Sequence, residues 1–413
     1  MSATPEPATA PSAGTRRRLD HIDAMRPVKQ AAVISTHALI FFAPLATSTT
    51  VVGLIMLTRF SRDAFLFVSA CMLTYSYRST PKVEIRTYTK RRFLSVGVPY
   101  LTWTLLYFVY TSLDSRSAFP YYAVNTAHLF SWSALRILIH LTATGYYHLY
   151  YLLVIAEFYV LFPLMLRVIR RHPTWHWRIL AGSLIWQIAY GAWVSSHHSV
   201  LDISGLLQTR MILSYVIYIV GGVIVALHLD EVHQWIVRHV TLILVGTLGA
   251  MALAEVLTYV GVAHDLPTYL RTGTYVFSPL IIPYNVGAIL CVYLLGVFLT
   301  APARRARIRA MVQSGSDNSY GVYLSQMVWI PALVRLRGAS GVHLPWQVAA
   351  PLALVIVYSV GFVFTALMAR TWFARGVTGR SRATWASLLP RRTLPTVVEH
   401  GDVADGPMDV VEP

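Results

Sequence analysis

The chain has 413 residues, 55% of them hydrophobic and only 13% charged, with a mean hydropathy of +0.54; soluble domains carry roughly 25% charged residues. A chain this apolar uses lipid as its solvent, which excludes an ordinary soluble domain. The formal net charge of +16 does not mark a nucleic-acid partner, because the basic residues follow alternate loops instead of one continuous face.

Residues 1–15 are Ala, Pro, Ser and Thr with one Glu, a composition that cannot bury enough surface to fold and reads as a disordered tail. From there the apolar stretches come in order. Gln30–Thr58, Phe93–Leu113, Ile179–Leu201, Met211–Leu229, Thr272–Ala303, Asn318–Val334 and Gly338–Ala369 contain no Asp, Glu, Lys or Arg. Three further segments tolerate a charge: Phe60–Tyr77, Tyr146–Val168 with Glu157, and His239–Val262 with Glu255. A spanning helix needs about 20 apolar residues, so the expected fold is an all-α integral membrane protein, a bundle of about ten transmembrane helices over residues 16–373. Residues 374–413 turn basic and then acidic and read as a cytoplasmic tail without a core. The connection 114–145 carries Phe119, Tyr121, Tyr122 and Trp132 and a short amphipathic piece, Ala134–Leu141, suited to the membrane interface.

An even helix count puts both termini on one side. With that side cytoplasmic, most of the 34 Lys and Arg residues fall in cytoplasmic segments, as the positive-inside rule requires. The expected location is the plasma membrane, multi-pass. The first apolar run begins too deep in the chain and runs too long for a secretory signal. Cys71 and Cys291 lie inside apolar segments, form no Cys-x-x-Cys pair and read as packing residues. His172 and His176, and His197 and His198, are spaced poorly for a metal, so no metal site is expected.

Polar groups within the first helix stand out. Arg26 and His37 are eleven residues apart, three helical turns, so they share one face about 16 Å apart along the axis. Asp23, Lys29 and Gln30 continue that stripe toward the cytoplasm. Ionisable groups at membrane depth are costly and face protein or water rather than lipid. Arg26 reads either as a positive-inside anchor or as a site residue, and His37 either as an interhelical hydrogen-bonding group or as a reacting one. Glu255 is expected to be structurally paired, while Glu157 is left open. Ser69 reads as a helix-packing residue, since no base is evident nearby.

The segment Arg18-Leu-Asp-His-Ile-Asp-Ala-Met-Arg26, followed by ten residues and His37, resembles the opening motif of acyltransferase family three, ten-helix membrane O-acyltransferases. Four further blocks follow in the family's order, a basic helix entry among them. Phe65-Leu-Phe-Val-Ser69-Ala70 resembles a Phe-Phe-x-x-Ser-Gly block with Ala70 in place of Gly. Lys90-Arg91-Arg92-Phe93 through Pro99-Tyr100 resembles the basic entry to the third helix, with Ser95 where another Arg is common. His148-Leu-Tyr150-Tyr-Leu, with Phe158-Tyr159 and Pro163, resembles a His-Leu-Trp-x-Leu block with Tyr150 for Trp. Ser319-Tyr-Gly-Val-Tyr323-Leu-Ser-Gln326 resembles a block that commonly ends in His, where Gln326 can hydrogen-bond but not take a proton.

The resemblance implies an acyl-CoA donor as co-substrate, no tightly bound cofactor, and a hydroxyl-bearing acceptor: an envelope glycan, a glycolipid or a small metabolite. It implies His37 and Arg26 as catalytic residues, with His37 either a general base or a covalent acyl carrier. Arg86, Lys90, Arg91 and Arg92 would hold the phosphates of coenzyme A, for which guanidinium forks are suited. Ser69, His148, Tyr150, Glu157, Tyr323 and Gln326 would serve the acceptor or support the site. Two other readings stay open: a transporter or flippase with buried charges along its path, and a catalytically impaired relative acting in an envelope assembly.

Overall fold

A computed structural model describes residues 19–44, 48–80, 82–113, 130–196, 210–272, 278–302 and 306–383, of which 195–196 and 261–272 as backbone alone. The N-terminal tail, the aromatic connection around Phe119, Tyr121 and Tyr122, His197, His198 and the acidic C-terminal stretch lie outside the described residues. Among the described residues every regular element is a helix and none is a strand. The chain is an all-helical membrane protein.

The first apolar run is not one helix but two. Helix α1 (Asp20–Phe42) ends where Ala43 turns extended before Pro44, and α2 (Thr49–Thr58) restarts on Ser48, whose hydroxyl accepts the Val51 N–H at 3.4 Å. Proline supplies no N–H and pushes its predecessor out of the helical region, so an apolar stretch uninterrupted by charge is broken by backbone chemistry. At ten residues α2 is about 15 Å long, half a bilayer core. A single residue, Arg59, joins it to α3 (Phe60–Tyr77).

Helix α4 (Ile85–Arg92) runs through a π-helical turn, Phe93–Gly97, into α5 (Val98–Leu113). Then come α6 (Trp132–Thr144), α7 (Tyr150–Arg171), α8 (His176–Ser196), α9 (Val216–Leu227), α10 (Leu229–Arg238) and α11 (Val240–Thr272). The last are α12 (Ile282–Thr300), α13 (Ala306–Ser340), α14 (Trp346–Met368) and the short α15 (Ala374–Thr378). Apart from the broken first run, the described part of each apolar segment read from the sequence is largely helical.

By length and composition, Ile85–Leu113, Tyr147–Arg171, Val240–Val260, Pro279–Thr300 and Trp346–Met368 can each cross a bilayer. Helices α9 and α10 add a sixth if the pair, bent by 103°, is counted as one span. Among the longer helices that fall short, α1, α3 and α13 carry buried polar groups, which lower their hydropathy. The clearest lipid-facing element is α11, where Leu242, Leu244, Val245, Leu248, Leu253, Val256 and Val260 are all exposed.

Helix α1 sits at the centre, against α2, α3, α12, α13 and α14. Helix α9 packs tightly on α3 at Gly222, where a Cβ would fall 2.4 Å from the Phe67 carbonyl oxygen. A small residue there lets two backbones touch, the usual basis of association where lipid removes the hydrophobic driving force. Arg170 at the end of α7 donates to the carbonyls of Tyr77, Arg78 and Thr80, satisfying the C-terminus of α3.

The packed domain does not stop at residue 373. Helix α15 lies on α5, Ala374, Val377 and Thr378 are buried, and the Trp103 indole donates to the Val377 carbonyl at 3.0 Å. The basic stretch expected as a tail without a core therefore contributes to the fold as far as Ala383, whose N–H donates to the Ala369 carbonyl at 2.8 Å.

Candidate active site

A cavity of about 330 Å³ lies among four segments, at the small end of the roughly 300–1,000 Å³ found for small-molecule sites. Helix α1 contributes Val33, Thr36, His37, Ile40 and Phe41, a run at i, i+3, i+4, i+7 and i+8 that defines one helix face. The junction of α2 and α3 adds Arg59, Ser61, Arg62 and Phe65, the start of α7 adds Tyr147, His148, Tyr150 and Tyr151, and α13 adds Tyr323 and Met327.

The turn before α7 is built with strain. Gly145 has φ 81°, and a Cβ there would meet the Tyr150 Cα at 2.2 Å. Tyr147 adopts φ 47°, a left-handed conformation that costs a side chain about 1–3 kcal/mol and persists where surrounding contacts over-determine it. Those contacts are specific. The Tyr146 hydroxyl donates to Thr111 Oγ1 at 2.7 Å, and Arg210 donates to the Thr144 carbonyl while lying 5.4 Å from the Tyr150 ring.

His148 and Tyr323 form a reciprocal clasp. His148 Nε2 is 2.8 Å from the Tyr323 carbonyl oxygen, and the Tyr323 hydroxyl donates to the His148 carbonyl at 2.6 Å. A carbonyl only accepts, so Nε2 carries the proton and Nδ1 is left as an acceptor; it has no hydrogen-bond partner among the described residues. The His37 ring lies 6.3 Å from that of His148, centroid to centroid. Unlike His148, its side chain makes no hydrogen bond to any described residue, and it faces the cavity.

Behind the α2–α3 junction, Asp63 is 2% exposed. It accepts from Asn285 Nδ2 at 2.7 Å and lies 3.7 Å from Arg62 Nε. The Tyr151 hydroxyl donates to the Arg62 carbonyl at 2.7 Å. This network fixes the first turn of α3, and with it the two arginines.

Of the site residues expected from sequence, His37, His148, Tyr150 and Tyr323 come together on this cavity. The others do not line it. Arg26 lies three turns away on α1, with Nη1 3.4 Å from Asp23 Oδ1. Ser69 is one turn beyond Phe65 on α3. Glu157 accepts the Ile212 N–H at 2.8 Å, where a new helical turn begins. Gln326, beside Met327, is fully buried with both amide atoms lacking a hydrogen-bond partner among the described residues. Arg86, Lys90 and Arg91 are exposed on α4, and the Arg92 guanidinium lies 5.3 Å from the Tyr159 ring. Tyr159 is nine residues past Tyr150 along α7, about 14 Å from the cavity. Glu255 also departs from expectation: Oε1 has no hydrogen-bond partner among the described residues, and Oε2 packs against Gly53 of α2.

Arg59, Arg62, Tyr147 and Tyr151 were not singled out by sequence. The available signal was Arg59-Phe-Ser-Arg62-Asp63, three charges in five residues between two apolar runs.

An inward-facing cavity of imidazoles, tyrosines and guanidiniums inside a helical membrane domain is the equipment of a membrane-embedded enzyme. A family profile described as an acyltransferase domain matches residues 20–370, and the chain belongs to that family, acyltransferase family three. The protein is a membrane acyltransferase. No curated protein and no solved structure matches the chain.

Proposed function

We propose that this protein transfers an acyl group, acetyl or another short acyl, from acyl-CoA to a hydroxyl of an envelope glycan, a glycolipid or a small metabolite. In this reading it crosses the plasma membrane ten times with both termini in the cytoplasm. The observation that carries the proposal is His37: an imidazole facing a protein-walled cavity with no hydrogen bond to a described residue, so both nitrogens remain for substrate. His148 beside it is held by Tyr323.

In the general-base route, the acceptor oxygen attacks the thioester carbonyl as His37 takes the hydroxyl proton. The tetrahedral intermediate then collapses, the carbon–sulfur bond breaks, and the imidazolium returns its proton to the coenzyme A thiolate. In the covalent route, a His37 nitrogen first takes the acyl group with loss of the thiolate and then gives it to the acceptor. Four helical segments supply the lining around the imidazole, and a bound substrate would displace water from it, which limits hydrolysis of the thioester.

The donor would enter from the cytoplasm. Phosphates held by Arg86, Lys90, Arg91 and Arg92 would leave the pantetheine arm to bridge about 14 Å to the cavity. Arg26, paired with Asp23, would organise the entrance of the site. The departures from the family's pattern favour an active enzyme, because Ala70, Ser95 and Gln326 all lie outside the cavity lining. Ala70 is in the α3–α9 contact, and the Ser95 hydroxyl donates to the Arg92 carbonyl at 3.1 Å.

The test is turnover by purified protein in lipid nanodiscs, with acyl-CoA and envelope extract as acceptor, products being followed by mass spectrometry. His37→Ala is expected to lower the rate about 10²–10⁴-fold. Equal rates for the variant and the parent would remove His37 from the mechanism.

A further inference from the structure

The cavity beside His37 is lined by two guanidiniums, Arg59 and Arg62, and, among the described residues, by no carboxylate. Asp63 stands behind Arg62, shared with Asn285. Arg62 also lies 5.1 Å from the Tyr215 ring. The rest of the lining is aliphatic and aromatic, with the hydroxyls of Thr36 and Ser61.

Both arginines issue from one turn. The Arg62 N–H donates to the Arg59 carbonyl at 3.1 Å, and a three-residue spacing places side chains on the same helix face. Cations at membrane depth are expensive and mark pathways or substrate contacts. A guanidinium fork matches carboxylate and phosphate oxygens, and its pull strengthens in a site shielded from water.

We propose that Arg59 and Arg62 form an anion subsite next to His37, so that the transferase handles a substrate with a carboxylate or phosphate close to the reacting centre. The anion is either the free carboxylate of a dicarboxylic acyl group on the donor or an acidic substituent on the acceptor. At about 330 Å³ the cavity suits the reacting ends of two substrates rather than a nucleotide, which separates this subsite from the basic cluster on α4. The proposal rests on the reading of this cavity as the transfer site.

The test is binding to the full-length protein in nanodiscs, read from ligand-induced shifts of the unfolding midpoint. Two matched pairs of probes are used: the succinyl and acetyl thioesters of N-acetylcysteamine, and octyl glucuronide and octyl glucoside. The anionic member of at least one pair is expected to bind about tenfold or more tightly than its neutral counterpart. A gap in the first pair assigns the anion to the acyl group, and a gap in the second assigns it to the acceptor. Arg59→Gln should bring the ratio below about threefold. Arg62→Lys, which keeps a charge for Asp63 but loses the fork, should narrow it. No gap in either pair, or a gap that survives both substitutions, overturns the subsite. A pair of arginines serving only the transition-state oxygen would bind both members alike. Binding is read without turnover, so loss of the His37 mechanism and loss of the anion subsite would be distinguished.

Discussion

At the residue scale, two histidines of one chemical type are separated by their partners. His148 is pinned by a carbonyl on α13, whereas the His37 side chain makes no hydrogen bond to a described residue. The same logic governs Asp63, which is fixed by Asn285 and compensates Arg62. Removing one member of a buried ion pair leaves the other uncompensated and costs about 3–5 kcal/mol, whereas replacing both with apolar groups can be nearly neutral. Asp63→Ala is therefore expected to lower the unfolding midpoint sharply, and the double variant Asp63→Ala/Arg62→Met to recover most of the loss. Strictly additive losses in this cycle would refute the coupling. His37 was legible from sequence because an imidazole inside an apolar helix is conspicuous. Arg59 and Arg62 were not, because they sit at a helix junction where charges pass for a loop. Only the fold turns that junction inward.

At the element scale, the apolar segments located every long helix, since charge-free length is what lipid demands of sequence. They missed the gap between α1 and α2, because the break comes from Pro44 and from an N-cap at Ser48, neither of which changes hydropathy much. The polar residues of α7 show a related limit. Glu157 reads in sequence as a costly intramembrane acid, yet it caps the turn beginning at Ile212 by accepting its N–H. This task needs an acceptor oxygen rather than a charge. Glu157→Gln should preserve stability within about 0.5 kcal/mol, whereas Glu157→Ala should cost about 1 kcal/mol, as for loss of a helix cap. A Gln variant as unstable as the Ala variant would show that the carboxylate charge itself is required.

At the scale of the whole molecule, the proposed function assigns two jobs to different depths. Arg92 lies against Tyr159, about 14 Å along α7 from Tyr150 at the cavity, so on the proposed reading affinity for the nucleotide end of acyl-CoA and chemistry at its thioester should respond to different substitutions. Arg91→Gln/Arg92→Gln is expected to raise KM for acyl-CoA about tenfold, and to leave KM for the same acyl group on N-acetylcysteamine, which has no phosphates, within twofold. An equal rise for both donors would move the phosphate contacts elsewhere. Sequence placed the basic cluster and His37 in chain order, but the spacing between them depends on how α4, α5 and α7 pack, which hydropathy does not encode.

The clasp between His148 and Tyr323 joins residues 175 positions apart in the chain. During synthesis α1 enters the bilayer early, and the cavity at its imidazole lacks its last side until α13 is made. A nascent chain halted anywhere before residue 323 therefore holds His37 without the complete cavity lining. The lining that the first helix begins is complete only once the thirteenth helix has been made.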